Sequence, residues 1–397
     1  MKKITLSNII NGLLFLYILS IYIFTYREGY NTLSNALAFL VVASIWIEVM
    51  LTRKKVRFNS ILLFQILFIV ACLITAFYAI SQYTVTSKVK TLLLIFLVML
   101  TLVNYIDTFE KLRKVIFYFV IAGFFTSIYI LVTSDFSVIT RYGSQLGNQN
   151  AIGMNIGISS IFCFYIILGE KKYLYSLLYI LLIPCILLTG SRKALIFVIL
   201  SLITMLLLYN KDSLSKIVKL LFASTCVLIG LYYFIFEIPI FYQIVGIRVE
   251  NMIKLLTGES VKEASLNNRL LMTRYGVEFF KKRPVFGYGI DNYRYLYGGT
   301  YSHNNFIELL VGTGVIGFML YYIPQVVVMR DLLMKSKNKM IALVCYSFFT
   351  IIASYFILSP TLVYYDSKHY NFLLAIASTV KLINIRNANL INGEKNV

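Results

Sequence analysis

Charged residues are scarce in this chain of 397 residues: Asp, Glu, Lys and Arg make up 14% of it, whereas hydrophobic residues make up 59%. A typical soluble domain has about 25% charged residues. Even a large soluble fold leaves roughly a quarter of the unfolded chain's surface in water, and this chain has too little polar surface to cover it. The composition therefore excludes a soluble globular enzyme and a disordered protein, and it predicts a protein embedded in a bilayer.

Cysteine and histidine are also sparse. The five cysteines stand alone within apolar runs, which argues against a disulfide framework and a cysteine metal site. Carboxylates such as Asp135, Asp291 and Asp366 are scattered over different predicted loops, so the sequence predicts no metal and no cofactor. The net charge of +20 does not indicate a nucleic-acid partner, because Lys and Arg collect in the cytoplasmic loops of membrane proteins.

Apolar runs are abundant, and twelve of them approach the roughly 20 residues that cross a bilayer. They span about 9–26, 31–51, 60–80, 89–106, 115–133, 151–168, 173–190, 194–210, 217–236, 304–328, 340–358 and 370–384. The first run lacks a signal-peptide cleavage site, so it is interpreted as a helix. The predicted fold class is an all-α polytopic membrane protein of about twelve transmembrane helices: helices 1–9 in 1–236, a loop over 237–302, and helices 10–12 with a tail in 303–397.

The distribution of basic residues predicts the orientation. With the N-terminus in the cytoplasm, the inner segments hold 21 Lys and Arg residues and the short outer loops hold 7. Basic residues favour the cytoplasmic side. We therefore expect the protein to lie in the cytoplasmic membrane, with both termini in the cytoplasm.

The loop over 237–302 is predicted to face outward, and a loop of this length is usually functional. Part of it has a helical pattern: Ser265 is a candidate N-cap, a helix runs to about Lys282, and Pro284 ends it. The glycines that follow Pro284 are turn signals.

Two clusters of polar residues lie at predicted helix starts. Asn148 and Asn150 precede the sixth helix, where a helix cap and a direct binding role are equally good interpretations. Ser191 and Arg192 open the eighth. A helix N-terminus repels a cation, so Arg192 is better explained by an anion held jointly by its guanidinium and free backbone N–H groups than by snorkelling to lipid phosphate.

Two further clusters belong to the long loop and its end. Arg269 and Arg274 lie on the predicted loop helix, where a solvated face explains them equally well. Ser302, a candidate N-cap, and His303 begin the tenth helix, followed by three more polar residues, Asn304, Asn305 and Glu308. A helix start disfavours imidazolium, so His303 is predicted to be a neutral general base.

All four clusters fall on odd-numbered connections, between helices 5 and 6, 7 and 8, and 9 and 10. Successive odd connections emerge on the same side of a membrane. The topology therefore predicts that the clusters share the outer side, although no individual motif requires it.

At these residues the chain resembles the O-antigen ligase and polysaccharide polymerase superfamily. The resemblance rests on Leu188 to Arg192, on Asn268-Arg269 leading to the Pro-x-x-Gly-x-Gly run over 284–289, and on Ser302 to Leu310 with the glycines after it. Asn148 and Asn150 resemble the family's entry to the sixth helix. A tryptophan that often follows the family's loop arginine is absent here, which leaves Arg274 as a rival to Arg269.

The resemblance implies a metal-independent, inverting glycosyltransferase of the GT-C type. Its donor would be a glycan linked to polyprenyl pyrophosphate. His303 matches the catalytic residue, and Arg192 with Arg269 or Arg274 matches the pyrophosphate-binding arginines. The remaining candidates, for binding or positioning substrate, are Asn148, Asn150, Ser191, Asn304, Asn305 and Glu308.

Three functions stay open. A polymerase would join lipid-linked repeat units into a surface polysaccharide of the capsular or O-antigen type, and a ligase would move a finished glycan to another acceptor. A flippase of lipid-linked sugars is disfavoured, because Glu48 and Glu308 lie near the membrane faces and not at the midplane, where transporters keep ionisable groups. The expected partners are the lipid-linked donor and acceptor, the lipid bilayer, and flippase and chain-length regulator proteins.

Overall fold

The structure is a computed structural model that describes residues 5–25, 27, 29–257, 264–334, 336 and 338–393. Within these residues the chain is helical and contains no β-strand. The first nine helices are α1 Leu6–Phe24, α2 Asn31–Leu51, α3 Ser60–Thr75, α4 Gln82–Tyr105, α5 Phe109–Thr133, α6 Gln149–Gly169, α7 Tyr175–Leu188, α8 Arg192–Tyr209 and α9 Leu214–Glu237. The rest are α10 Pro239–Phe241, α11 Ile247–Leu256, α12 Ala264–Lys282, α13 Tyr293–Leu296, α14 Asn305–Leu332, α15 Lys339–Leu358 and α16 Lys368–Gly393.

The apolar composition of these helices makes the chain a multi-pass membrane protein. Each of the twelve predicted runs falls on a helix. Among the described residues, nine helices are long and apolar enough to cross a bilayer, whereas Ser60–Thr75 and Tyr175–Leu188 are apolar but shorter. The all-α polytopic fold is thus confirmed, and the number of twelve spans stays a prediction.

Side chains at the helix starts accept hydrogen bonds from first-turn backbone N–H groups, which have no partner within the helix. The residues that cap in this way are Thr5, Asn59, Ser81, Thr108, Asn148, Ser191, Asn304 and Asn338. Such caps define where a helix begins. Ser302, predicted to cap the tenth span, does not cap it: the cap is Asn304, whose amide oxygen accepts from Phe306 and Ile307.

Helix α6 lies in the centre of the bundle, packed against α5, α7, α8 and α15. Its small residues permit close approach: a side chain at Gly153 or Gly157 would meet α8. This packing fixes the start of α6 beside the start of α8, where two of the predicted polar clusters lie.

The segment over 237–302 is more helical than predicted. It contains α10, a five-residue π-helix over Tyr242–Gly246, α11, α12 and α13. The predicted loop helix is present as α12, and it ends just before Pro284. Met272 on α12 and Ile307 on α14 share a small apolar cluster with Tyr293, so this segment packs directly on the start of α14.

The Pro-x-x-Gly-x-Gly run over 284–289 joins the loop to a kink in α14. The helix is interrupted at Gly314, whose φ of 64° suits glycine. There the N–H of Val315 donates to Pro284, and the N–H groups of Tyr288 and Gly289 donate to α14 carbonyls. The motif therefore has a structural role, since it fixes the loop against α14.

Candidate active site

Five cationic side chains come together at the starts of α6 and α8. A cavity of about 80 Å³ is lined by Arg141, Asn150, Arg192, Lys193, Arg248 and Arg269. These residues come from the loop before α6, from α6, from α8, from α11 and from α12. The structure thus brings Arg192 and Arg269, which the sequence predicted as partners, to one place.

The turn over Thr189 to Ser191 holds this arrangement. Arg141 donates from Nε to the Thr189 carbonyl at 2.8 Å and from Nη2 to Asn150 Oδ1 at 3.0 Å. Gly190 has φ of 60°, and a Cβ there would lie 2.8 Å from Arg141 Cγ. Glycine is required here for two reasons: the backbone is left-handed, and the Arg141 side chain passes where a Cβ would lie.

Arg192 extends the cluster toward α11. Its Nη1 donates to the carbonyl of Arg248 at 2.6 Å. The guanidinium is partly buried at the first position of α8, whose free N–H groups add partial positive charge. This is the environment that an anion complements.

Positive side chains dominate the described lining of this cavity. Burial, and then the charges of neighbouring arginines, lowers the pKa of Arg141 to about 10. No carboxylate lines the cavity in the part of the chain that the structure describes. Guanidinium groups that converge on one space bind anionic oxygens through charge-assisted hydrogen bonds, so the site is suited to an anion with several negative oxygens.

His303 lies beside this cluster. Burial, then the charges of Arg269 and Lys193, lowers the pKa of His303 to about 4. A pKa of about 4 leaves the imidazole neutral near pH 7. The residue has φ of 57°, an uncommon conformation outside glycine, and its ring lies 4.1 Å from that of Tyr301.

Ser302 and Glu308 hold the turn that carries His303. The backbone N–H and the hydroxyl of Ser302 lie 2.8 and 2.7 Å from Glu308 Oε2. Glu308 is buried, and its Oε1 has no hydrogen-bond partner among the residues that the structure describes. The side chain of Asn305 faces away from the cations, since it donates to Tyr322 and accepts from the N–H groups of Tyr364 and Tyr365.

A second cavity, of about 110 Å³, adjoins the first. It shares Asn150 and Lys193 with the cationic cavity and is also lined by Asn148, Ala151, Met154, Tyr301, His303, Tyr355, Leu362, Val363, Tyr364, Ser367 and His369. His303 therefore lies next to the cations and also on the wall of a neighbouring space.

The other predicted residues take different places. Arg274 is exposed on α12 and lines neither of these two cavities. Ser191 and Asn304 are buried helix caps. Asn148 caps α6, which is one of the two roles that the sequence allowed, and it also lines the second cavity.

Arg141, Lys193 and Arg248 were not predicted as site residues. A basic residue in a loop of a membrane protein is ordinary, so no sequence signal distinguished them. The described residues contain no group of three or more His, Cys, Asp or Glu side chains arranged to hold a metal ion.

Comparison with known proteins agrees with the motifs. A family model described as O-antigen ligase matches residues 177–322, a range that contains Arg192, Arg269 and His303. No curated protein matches the chain. The match confirms the predicted resemblance to the O-antigen ligase and polymerase superfamily and supports glycan transfer in general.

Proposed function

We propose that this protein, which is similar to the O-antigen ligase and polymerase superfamily over residues 177–322, polymerises oligosaccharide repeat units linked to polyprenyl pyrophosphate. The growing glycan leaves its pyrophosphate carrier and joins the non-reducing end of the next lipid-linked unit. The product is a surface polysaccharide of the capsular or O-antigen type.

One observation carries the proposal: five basic side chains surround one cavity, and the imidazole of His303 lines the cavity that adjoins it. The basic residues are Arg141, Arg192, Lys193, Arg248 and Arg269. Guanidinium groups bind phosphate oxygens in pairs. A pyrophosphate ester offers a negative charge on each phosphate and gains more as it leaves. The cluster therefore fits both the bound donor and the charge that develops in the transition state.

The reaction is a single displacement. A hydroxyl oxygen of the acceptor sugar attacks the anomeric carbon of the donor sugar, while the bond from that carbon to the pyrophosphate oxygen breaks. His303 takes the hydroxyl proton, and the pyrophosphate leaves with the bonding electron pair. Attack opposite the leaving group inverts the anomeric configuration, and the chain's own cations stabilise the departing charge, so a metal ion is not required.

We assign the loop arginine of the site as Arg269. Arg269 lines the cationic cavity, whereas Arg274 is exposed on the next turn of α12. Arg141, Lys193 and Arg248 complete the proposed pyrophosphate site. The asymmetry of basic residues supports an extracytoplasmic location for it in the cytoplasmic membrane.

A reconstituted assay tests the function and its alternatives. Purified protein in detergent is given one lipid-linked repeat unit, and the products are separated by length. A ladder of lengthened products is expected. Transfer only after a chemically different acceptor is added identifies a ligase instead, and movement of the lipid across liposomes without bond formation identifies a flippase.

A further inference from the structure

We infer that the second cavity, between His303 and His369, is the subsite for the terminal sugar ring of the acceptor. This inference rests on the proposed function, because it assigns the place from which the attacking hydroxyl reaches the donor.

The position of the cavity supports this assignment. Asn150 and Lys193 line both cavities, so the two spaces are adjacent. His303 lines the second cavity and feels the charges of Arg269 and Lys193 at the first. A hydroxyl bound there lies beside the base and faces the donor, which is the arrangement that proximity catalysis needs.

The size of the cavity suits one ring and not a chain. Its volume is about 110 Å³, which is several times the roughly 10–15 Å³ that one water molecule needs. Leu362 and Val363 form part of its wall. The wall is fixed to α14, because the N–H of Asn305 donates to the Leu362 carbonyl at 3.0 Å.

The chemistry of the lining suits a sugar. Tyr301 and Tyr355 contribute aromatic rings, while Asn148, Ser367 and His369 contribute hydrogen-bonding groups. Convergent polar groups in a partly apolar concavity are typical of small-molecule sites.

The polar end of the cavity is preorganised. His369 is buried, its Nε2 lies 3.1 Å from the Tyr355 hydroxyl, and its Nδ1 lies 3.0 Å from the Ser367 hydroxyl. Contacts to both ring nitrogens hold the imidazole in one orientation. His369 is thus a positioning residue of the subsite, and it lines the same cavity as the proposed base.

The test separates donor from acceptor. The donor is a lipid-linked repeat unit whose non-reducing end is chemically capped, so that it cannot act as acceptor, and the acceptor is an uncapped unit on a short lipid. Val363→Trp fills the cavity from its partly exposed wall. The control is Val326→Trp, an exposed position on α14 that lines neither of the two described cavities.

We expect Val363→Trp to raise the acceptor KM by about tenfold or more, the usual cost of losing a few contacts in a pocket, while the donor Kd stays unchanged. Tyr355→Phe keeps the ring and removes the contact to His369, so a rise of about tenfold in acceptor KM is expected from the lost hydrogen bond. Unchanged acceptor KM in both variants would overturn the subsite. Absence of chain extension by the unaltered protein would instead overturn the proposed function.

Discussion

Ser302 donates its backbone N–H to the buried carboxylate of Glu308 at 2.8 Å, and its hydroxyl lies 2.7 Å from the same oxygen. The residue between Ser302 and the helix cap Asn304 is His303, which adopts a left-handed conformation. Such conformations persist only where the surroundings impose them. We therefore propose that Glu308 positions the proposed base through Ser302.

Glu308→Ala is expected to reduce transfer by about 30–160-fold, because two hydrogen bonds worth roughly 1–1.5 kcal/mol each are lost. Glu308→Gln keeps an acceptor oxygen for Ser302 and should retain more activity than the alanine variant. Transfer rates at saturating donor decide between them. Glu110→Gln, at an exposed position on α5, is the control, and equal activity in all three variants would contradict the positioning role.

The two loop arginines are expected to differ. Arg269→Lys keeps the charge but loses the paired donors, and removal of one donor from such a site costs about 10²–10³ in rate. Arg274→Lys should retain nearly full activity, because Arg274 is exposed. A loss confined to Arg274→Lys would show that the wrong arginine has been assigned.

The pH dependence should differ between free and donor-bound protein. Burial and nearby cations hold the pKa of His303 at about 4, so the base is available above that pH and is lost as the pH falls through it. A bound pyrophosphate offsets the cations, which raises the pKa of His303. The acid limb of kcat, which reports the complex, should therefore lie at higher pH than that of kcat/KM. Coincident limbs would contradict the proximity of His303 to the phosphates.

Gly190→Ala should abolish most activity. The added Cβ meets Arg141 and the Ile244 carbonyl, and alanine disfavours the φ of 60°. Gly230→Ala on α9 is the control, since nothing lies within 4 Å of its Cβ position and alanine favours a helix. The comparison is made on purified protein, where Gly190→Ala should bind the donor poorly. Normal donor binding would show that the turn does not hold the cationic cavity.

Membrane orientation is testable with one introduced cysteine at a time. The background carries Cys226→Ser, because Cys226 is exposed and the other four native cysteines are buried. A cysteine at exposed Asn268 should react with an impermeant thiol reagent in intact cells, whereas one at Ser336 should react only after permeabilisation. Ser302 is buried and is unsuitable as a labelling site. Gly258 also belongs to the loop that is predicted to face outward, but it lies outside the described residues. Labelling of Ser336 in intact cells would reverse the orientation.

Apolar runs predicted where the helices lie, because membrane helices must satisfy their backbone hydrogen bonds internally. Chain topology predicted only that the polar clusters share one side of the membrane, and the structure adds that Arg192 and Arg269 line one cavity. The kink at Gly314 was not predicted, since it depends on contacts with Pro284, thirty residues earlier in the chain. Arg248 and His369 were not predicted for a related reason. Packing of distant segments brings them to the two cavities, and neither residue lies in a distinctive local pattern.

The most direct test of the account compares Arg192→Ala with His303→Gln in one experiment, after both purified variants are shown to be folded. The account predicts that Arg192→Ala binds the lipid-linked pyrophosphate donor weakly, because part of the anion site is lost. It predicts that His303→Gln binds the donor with unchanged Kd and forms almost no polymer, because only the base is lost. Near-normal polymer formation by His303→Gln, or unchanged donor binding by Arg192→Ala, would contradict it.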